Sequence, residues 1–152
     1  MPDVSLYSCR VITDGSSFCG WTMRASDGTL DFGNSVTVVS KDSTAGIVKF
    51  DAAGDAIWAK ATAPHSFSDL SVSADGSLLV IVGSSGRRGS PASATRISTA
   101  AGEEGTVLWT DKGGVGTHGF RGVEVTDDNA EVFAFGQARP AKVAARLPKL
   151  SS

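Results

Sequence analysis

The sequence predicts an all-β fold made of repeated four-stranded antiparallel blades, two complete and a third partial. Three observations carry that expectation. An acidic turn recurs in "RVITDGSSFCG" (10–20), "SVSADGSLLVIVG" (71–83) and "VEVTDDNAEVFAFG" (123–136). A phrase ending in Trp occurs twice, as "KFDAAGDAIWAKA" (49–61) and more loosely as "RISTAAGEEGTVLWTD" (96–111). No segment carries a helical period, and Gly, Ser, Thr and Val dominate throughout.

The elements of the repeat follow in order. Before each turn, apolar residues sit two apart, Cys9 and Val11, Leu70 and Val72, Val123 and Val125, which is strand spacing. The turn pairs Asp14-Gly15, Asp75-Gly76 and Asp128-Asn129 suit the positive φ angles of a tight hairpin turn. After each turn the chain is almost continuously apolar and reaches a Gly, at Gly20, Gly83 and Gly136, so each second strand reads as buried on both faces. A third strand comes next, in "AGIVKFD" (45–51), "SATRIS" (93–98) and "KVAARLP" (142–148), with Lys49, Arg96 and Arg146 in corresponding places. The fourth strand carries Trp58 and Trp109 and is missing from the third repeat.

Blades are therefore expected at about 5–61, 67–112 and, in part, 120–148, within a single unit spanning 1–152. The acidic turns lie 61 and then 53 residues apart, and the two Trp residues 51 apart, spacings that fall in the range of four-stranded propeller repeats. The expectation sharpens to a β-propeller segment. Stacking explains the repetition, because one twisted sheet has two faces to bury and needs a neighbour on each. The recurring Trp offers a flat apolar surface across the widening gap between blades. Its full burial would contribute about 2–3 kcal/mol.

Charge and hydropathy exclude several classes. Fourteen basic and sixteen acidic residues leave a net charge of -2, which gives no reason to expect a nucleic-acid partner. The longest strongly apolar run, "LLVIV" (78–82), is far short of the roughly 20 residues of a membrane helix, so no transmembrane segment is expected. The first residues lack the basic-then-apolar pattern of a signal peptide. Cys9 and Cys19 fall on strands read as paired; two small buried thiols are the expectation, and a cross-strand disulfide is the alternative if the register opposes them.

No catalytic constellation emerges. "GSSGRRGSP" (83–91) has neither the spacing nor the setting of a phosphate loop and reads as a solvated connection with a basic spot at Arg87 and Arg88. A G-x-S-x-G elbow is absent. "TDDNAE" (126–131) lacks the ligand order of a calcium loop. His65 and His118 each stand two residues before an aligned Phe, Phe67 and Phe120, and repetition at one structural place favours a structural role. Arg87, Arg88, His65 and His118 are the candidate interaction residues, and no cofactor, metal or catalytic residue is expected.

Residues 7–61 resemble the bacterial-type β-propeller repeat often called the SBBP repeat, through Gly20, the "LDFG" at 30–33, Lys49, Asp51, Gly54 and Trp58. The second blade lacks "LDFG" and has Arg96 and Ser98 in place of the Lys and Asp. The resemblance implies non-catalytic, frequently extracytoplasmic proteins that act in adhesion or assembly. "DAAGDAIW" is also similar to the docking motif of quinoprotein dehydrogenases, but the carboxylate and amide set of a quinone pocket is not discernible. Two blades and three strands cannot close a ring of 4 to 8. The end faces are therefore expected to meet a protein partner, further blades of a longer chain, or copies of the same chain in a closed ring. A binding or assembly module, such as an accessory subunit of a larger complex, is the leading expectation. The alternative is a lectin-like or small-ligand-binding propeller using the loops at 24–44 and 83–91.

Overall fold

A computed structural model of the chain describes residues 3–24, 28–40, 44–63, 66–84, 92–112, 117–126, 131–138 and 142–146. Among these there is no helix, and the fold is all-β. A first sheet is formed by β1 (Asp3–Val11), β2 (Ser17–Arg24), β5 (Thr44–Phe50) and β6 (Ala56–Ala63), in that spatial order. A second contains β7 (Ser66–Val72), β8 (Leu79–Ser84), β9 (Ala92–Ile97) and β10 (Val107–Lys112). A third has β11 (Thr117–Val125), β12 (Val132–Ala138) and β13 (Lys142–Arg146). Every pairing is between antiparallel neighbours. Between β2 and β5, the chain detours into a separate hairpin, β3 (Gly28–Asp31) and β4 (Thr37–Ser40).

The acidic turns are built differently from a turn centred on two positive-φ residues. Gly15 has φ 84° while Asp14 stays out of the left-handed region. Gly15 N–H donates to the Ile12 carbonyl and Ile12 N–H to the Ser16 carbonyl, which is a type I turn closed by a glycine bulge. Asp14 does another job: its Oδ1 accepts from the Ser16 hydroxyl at 2.6 Å and the Ser16 amide at 2.8 Å. Those bonds hold its carboxyl below the ordinary value of 3.8. Asp75 repeats the device with the Ser77 amide and hydroxyl and the Ser73 hydroxyl. Asp51 does so with the Ala53 and Asp55 amides ahead of Gly54. The Asp128-Asn129 pair lies outside the described residues.

Two cores hold the sheets face to face. Phe18, Ala45 and Ile47 of the first sheet meet Phe67, Leu70, Leu79, Ile81 and Ile97 of the second, with Trp58 packed alongside. Val80, Val82, Ala92 and Ala94 of the second meet Phe120, Val123, Val132 and Ala134 of the third, with Trp109 alongside. Each Trp thus packs toward the sheet that follows its own. Phe18 meets Trp58 edge-on at 6.0 Å, and the Lys49 ammonium lies 5.2 Å from the Phe18 ring centre.

Gly20, inside β2, shows why the second strand carries a Gly. A Cβ built there would fall 2.0 Å from the Phe67 ring, so the next sheet's first strand inserts its aromatic where a side chain would stand. Replacing Gly20 by Ala is expected to cost about 1–3 kcal/mol through overpacking. The penalty should shrink in a Phe67→Leu background, measured by denaturant midpoints in a double-mutant cycle.

The first strands of the three sheets lie together and are joined by side chains rather than by a backbone ladder. Asp69 on β7 is the junction: its Oδ1 lies 3.6 Å from Arg10 Nη2 on β1, and its Oδ2 accepts from the Val123 amide on β11 at 3.3 Å. Ser71 Oγ accepts from the Val125 amide at 3.1 Å. An edge strand has amides that need partners, and β7 supplies them to β11. Thr13 adds two bonds, from its amide and hydroxyl to the Ala74 carbonyl.

One sequence expectation is overturned here. Cys9 and Cys19 are not free thiols: they sit directly opposite on β1 and β2 with Cα atoms 4.2 Å apart and form a disulfide.

Candidate interaction surface

The two ends of the stack are treated differently. On the outer face of the first sheet, Cys19, Trp21, Met23, Val48 and Ala56 are covered by Leu30 and Val38 of the β3–β4 hairpin, with Phe32 and Val36 packed against them. The β3–β4 part of the excursion at 24–44, which the alternative reading gives to ligand binding, packs as a lid on its own sheet. "LDFG" has a local meaning within it. Leu30 is buried, Asp31 Oδ1 accepts from the Gly33 amide, Phe32 lies 5.8 Å from the Trp21 ring, and Gly33 takes φ 88°. The lid covers β2, β5 and β6 and leaves a strip of β1 in the open, with Leu6 and Val11 exposed.

The hairpin's turn is the strained part of the lid. Asn34 at φ 52° and Ser35 at φ 62° are both left-handed, and Val36 N–H donates back to the Gly33 carbonyl, the signature of a type I′ turn. That turn prefers Gly at its second central place. Ser35→Gly is expected to raise the thermal midpoint, with a gain of up to about 1 kcal/mol, because it removes the Cβ penalty.

At the opposite end nothing among the described residues covers the third sheet. Its middle strand β12 alternates: Val132 and Ala134 are buried against the second sheet, while Phe133 is 40 % and Phe135 50 % exposed. The expectation of burial on both faces holds for β2 and β8, each of which has a layer on either side. It fails for β12 because the layer on its far side is absent from the described residues. Phe135 spreads over the cross-strand Gly122, where a Cβ would lie 2.2 Å from its ring, and Glu124 stands opposite Phe133. Among the described residues the third sheet has three strands, β11, β12 and β13, whereas the other two each include a fourth, Trp-bearing strand.

A cross-strand row links these features. In the first sheet Phe18 pairs with Lys49 and Lys49 with Trp58; in the second, Val80 pairs with Arg96 and Arg96 with Trp109. In the third, Phe133 pairs with Arg146, the last member of the row among the described residues. Phe18 and Val80 are buried because the next sheet lies over them, and Phe133 is their exposed equivalent.

Of the candidate residues read from the sequence, Arg87, Arg88 and His65 lie outside the described residues. His118 lies on β11. Gly83 lies on β8, buried and paired with Phe67, and Gly136 lies on β12 opposite Phe120. Phe133 and Phe135 were not singled out by the sequence, although their alternation with Val132 and Ala134 is visible in "VFAF". Between the first and second sheets, Ala45, Thr62, Phe67, Ile81, Gly83 and Thr95 help line a cleft of about 20 Å³. That is room for about one water molecule and too little for a metabolite. Among the described residues no group of three or more His, Cys, Asp or Glu is placed to hold a metal ion, and no helix is long and apolar enough to cross a membrane.

Comparison with protein-family models, curated proteins and solved structures finds no match to this chain.

Proposed function

We propose that the chain is a β-propeller segment that works as a non-catalytic binding and assembly module, as an accessory subunit of a larger complex would. One observation carries the reading: among the described residues nothing covers Phe133 and Phe135, which lie side by side on a sheet face whose equivalents in the preceding sheets are buried under the next layer. Apolar aromatic surface on a rigid sheet marks a place where protein meets protein. The internal repeat and the resemblance at 7–61 support the propeller reading. Ring closure by identical copies is disfavoured, since the third sheet of one copy would need the outer face of the next copy's first sheet, and the β3–β4 hairpin occupies that face. Disulfides persist in oxidising compartments, so the Cys9–Cys19 bond supports an extracytoplasmic setting.

The test is the native mass of the protein isolated from its source, compared with a Phe133→Ser/Phe135→Ser variant expressed in the same setting. A stoichiometric complex that the variant no longer forms is expected. A monomer in both cases would sink the reading.

A further inference from the structure

The Cys9–Cys19 disulfide straddles the rim of the β3–β4 lid. Cys9 stands on β1, in the strip that the hairpin leaves open, and is exposed. Cys19 stands directly opposite on β2, only 6 % exposed, in the outer core that Leu30 and Val38 cover. Its other cross-strand neighbour is Val48 of β5, fully buried in the same core. A thiolate breaks a disulfide by attacking one sulfur in line with the bond, so the two sulfurs are reached from opposite sides. Cys9 Sγ is approached across the strip where Leu6 and Val11 are exposed, whereas Cys19 Sγ is approached over Val48, beneath the hairpin. The lid is separable from the sheet under it. Among the described strands β3 and β4 pair with each other and with no third strand. Apolar side chains hold the hairpin to the first sheet, helped by a bond of 3.4 Å from Asn34 Nδ2 to the Ala56 carbonyl. A two-stranded hairpin held in this way opens at less cost than the sheets beneath it.

We propose that Cys9 Sγ is an exchange site for small thiols and that the β3–β4 hairpin gates reduction of the bond. A small thiolate attacks Cys9 Sγ, the Cys9–Cys19 bond breaks and a mixed disulfide forms on Cys9. The electron pair leaves on Cys19 Sγ, which takes up the proton the small thiol lost. With the lid closed, the Cys19 thiolate forms among apolar side chains, where a charge is costly. It also stands opposite Cys9, so it attacks Cys9 Sγ again and expels the incoming thiol. With the lid open, water reaches Cys19, and its thiol persists until a second small thiolate attacks the sulfur of the first. The products are two protein thiols and one small-molecule disulfide, so two small thiols are oxidised for each bond reduced. Nothing in this gate depends on the third sheet or on assembly.

The test is the rate at which the oxidised 152-residue chain is reduced by excess glutathione in native buffer, read by acid quench and mass spectrometry. Leu30→Ala removes a lid contact and should speed reduction about tenfold. Ser35→Gly relaxes the turn of the lid and should slow reduction by up to about fivefold. Ile97→Val, in the core between the first and second sheets, should leave the rate unchanged. In quenched samples the glutathione adduct should map to Cys9. Equal rates for Leu30→Ala and the wild type, or an adduct mainly on Cys19, would overturn the proposal. So would an equal acceleration by Ile97→Val, because it assigns the rate to global unfolding. Should Leu30→Ala fail to fold, Ser35→Gly decides: a raised thermal midpoint with an unchanged reduction rate overturns the gate.

Discussion

Trp21→Ala is expected to destabilise the protein by about 3–5 kcal/mol, the largest loss of any single substitution considered. Trp21 is fully buried and stands at the centre of the outer core of the first sheet, between Phe32 of the hairpin and the backbone of Gly46. A Cβ on Gly46 would overlap both the Lys60 carbonyl of β6 and the indole, so strand β5 is bare where the ring packs. Truncation leaves a void against a glycine, which cannot reach in to fill it, and this places the expected cost toward the upper end of the range. The loss should appear first in the lid. Hydrogen exchange of the β3–β4 amides should accelerate more than that of β8, since the hairpin loses its main anchor while the two inter-sheet cores are untouched. Trp21→Phe separates packing from polarity. The indole Nε1 is buried with no hydrogen-bond partner, and a buried donor without a partner carries a penalty of about 1–3 kcal/mol. Phenylalanine removes that donor along with part of the ring, so the variant should lose much less than the alanine form.

The fold was legible in the sequence wherever two copies of a phrase constrained each other. Lys49 with Trp58 and Arg96 with Trp109 mark the third and fourth strands, and the structure pairs them directly. The Gly in each second strand was visible as well, but the cause at Gly20 was not, because Phe67 reaches it from 47 residues further along the chain. The hairpin was harder. "GTLD" and "TVVS" are short strands on an insertion, and nothing local says that Leu30 and Val38 turn back onto their own sheet rather than out to a ligand. β12 misled for a related reason. A continuous apolar run reads as burial on both faces, but burial on the far face depends on a layer that the sequence of β12 does not encode. The exposure of Phe133 and Phe135 is therefore a property of the stack, legible only once the stack is assembled. Asp69 shows the same limit at the junction: an isolated acid in "SFSDL" gives no sign that it will bridge strands from three sheets.

Removing the Cys9–Cys19 bond is the second large effect expected, and the turn between the two cysteines sets the register that the sequence reading left open. A two-residue turn at Asp14-Gly15 would set Thr13 opposite Ser16 and so place Cys9 opposite Gly20, one residue out of step with Cys19. Such a slip puts the two sulfurs on opposite faces. The observed turn has three loop residues, Thr13, Asp14 and Gly15, and pairs Ile12 with Ser16. Counting back from there sets Arg10 against Phe18 and Cys9 against Cys19. The glycine bulge thus decides whether the thiols can meet. A cross-link closing a loop of 10 residues stabilises by about 2.5–3 kcal/mol if the gain comes from restricting the unfolded chain. Cys9→Ala/Cys19→Ala should lower the denaturant midpoint accordingly, and the wild type in reducing agent should fall to nearly the same value. The comparison isolates the bond from the packing of Cys19, which is buried in the outer core beneath the hairpin. If reduction left the midpoint unchanged while the double substitution lowered it, the cysteines would matter as filling rather than as a link. An unfolded reference state already held near the hairpin geometry by Asp14 and Ser16 would give the same signature. Asp14→Ala in the reduced protein then distinguishes the two, because weakening the turn loosens that reference state and should restore a stabilising effect of oxidation.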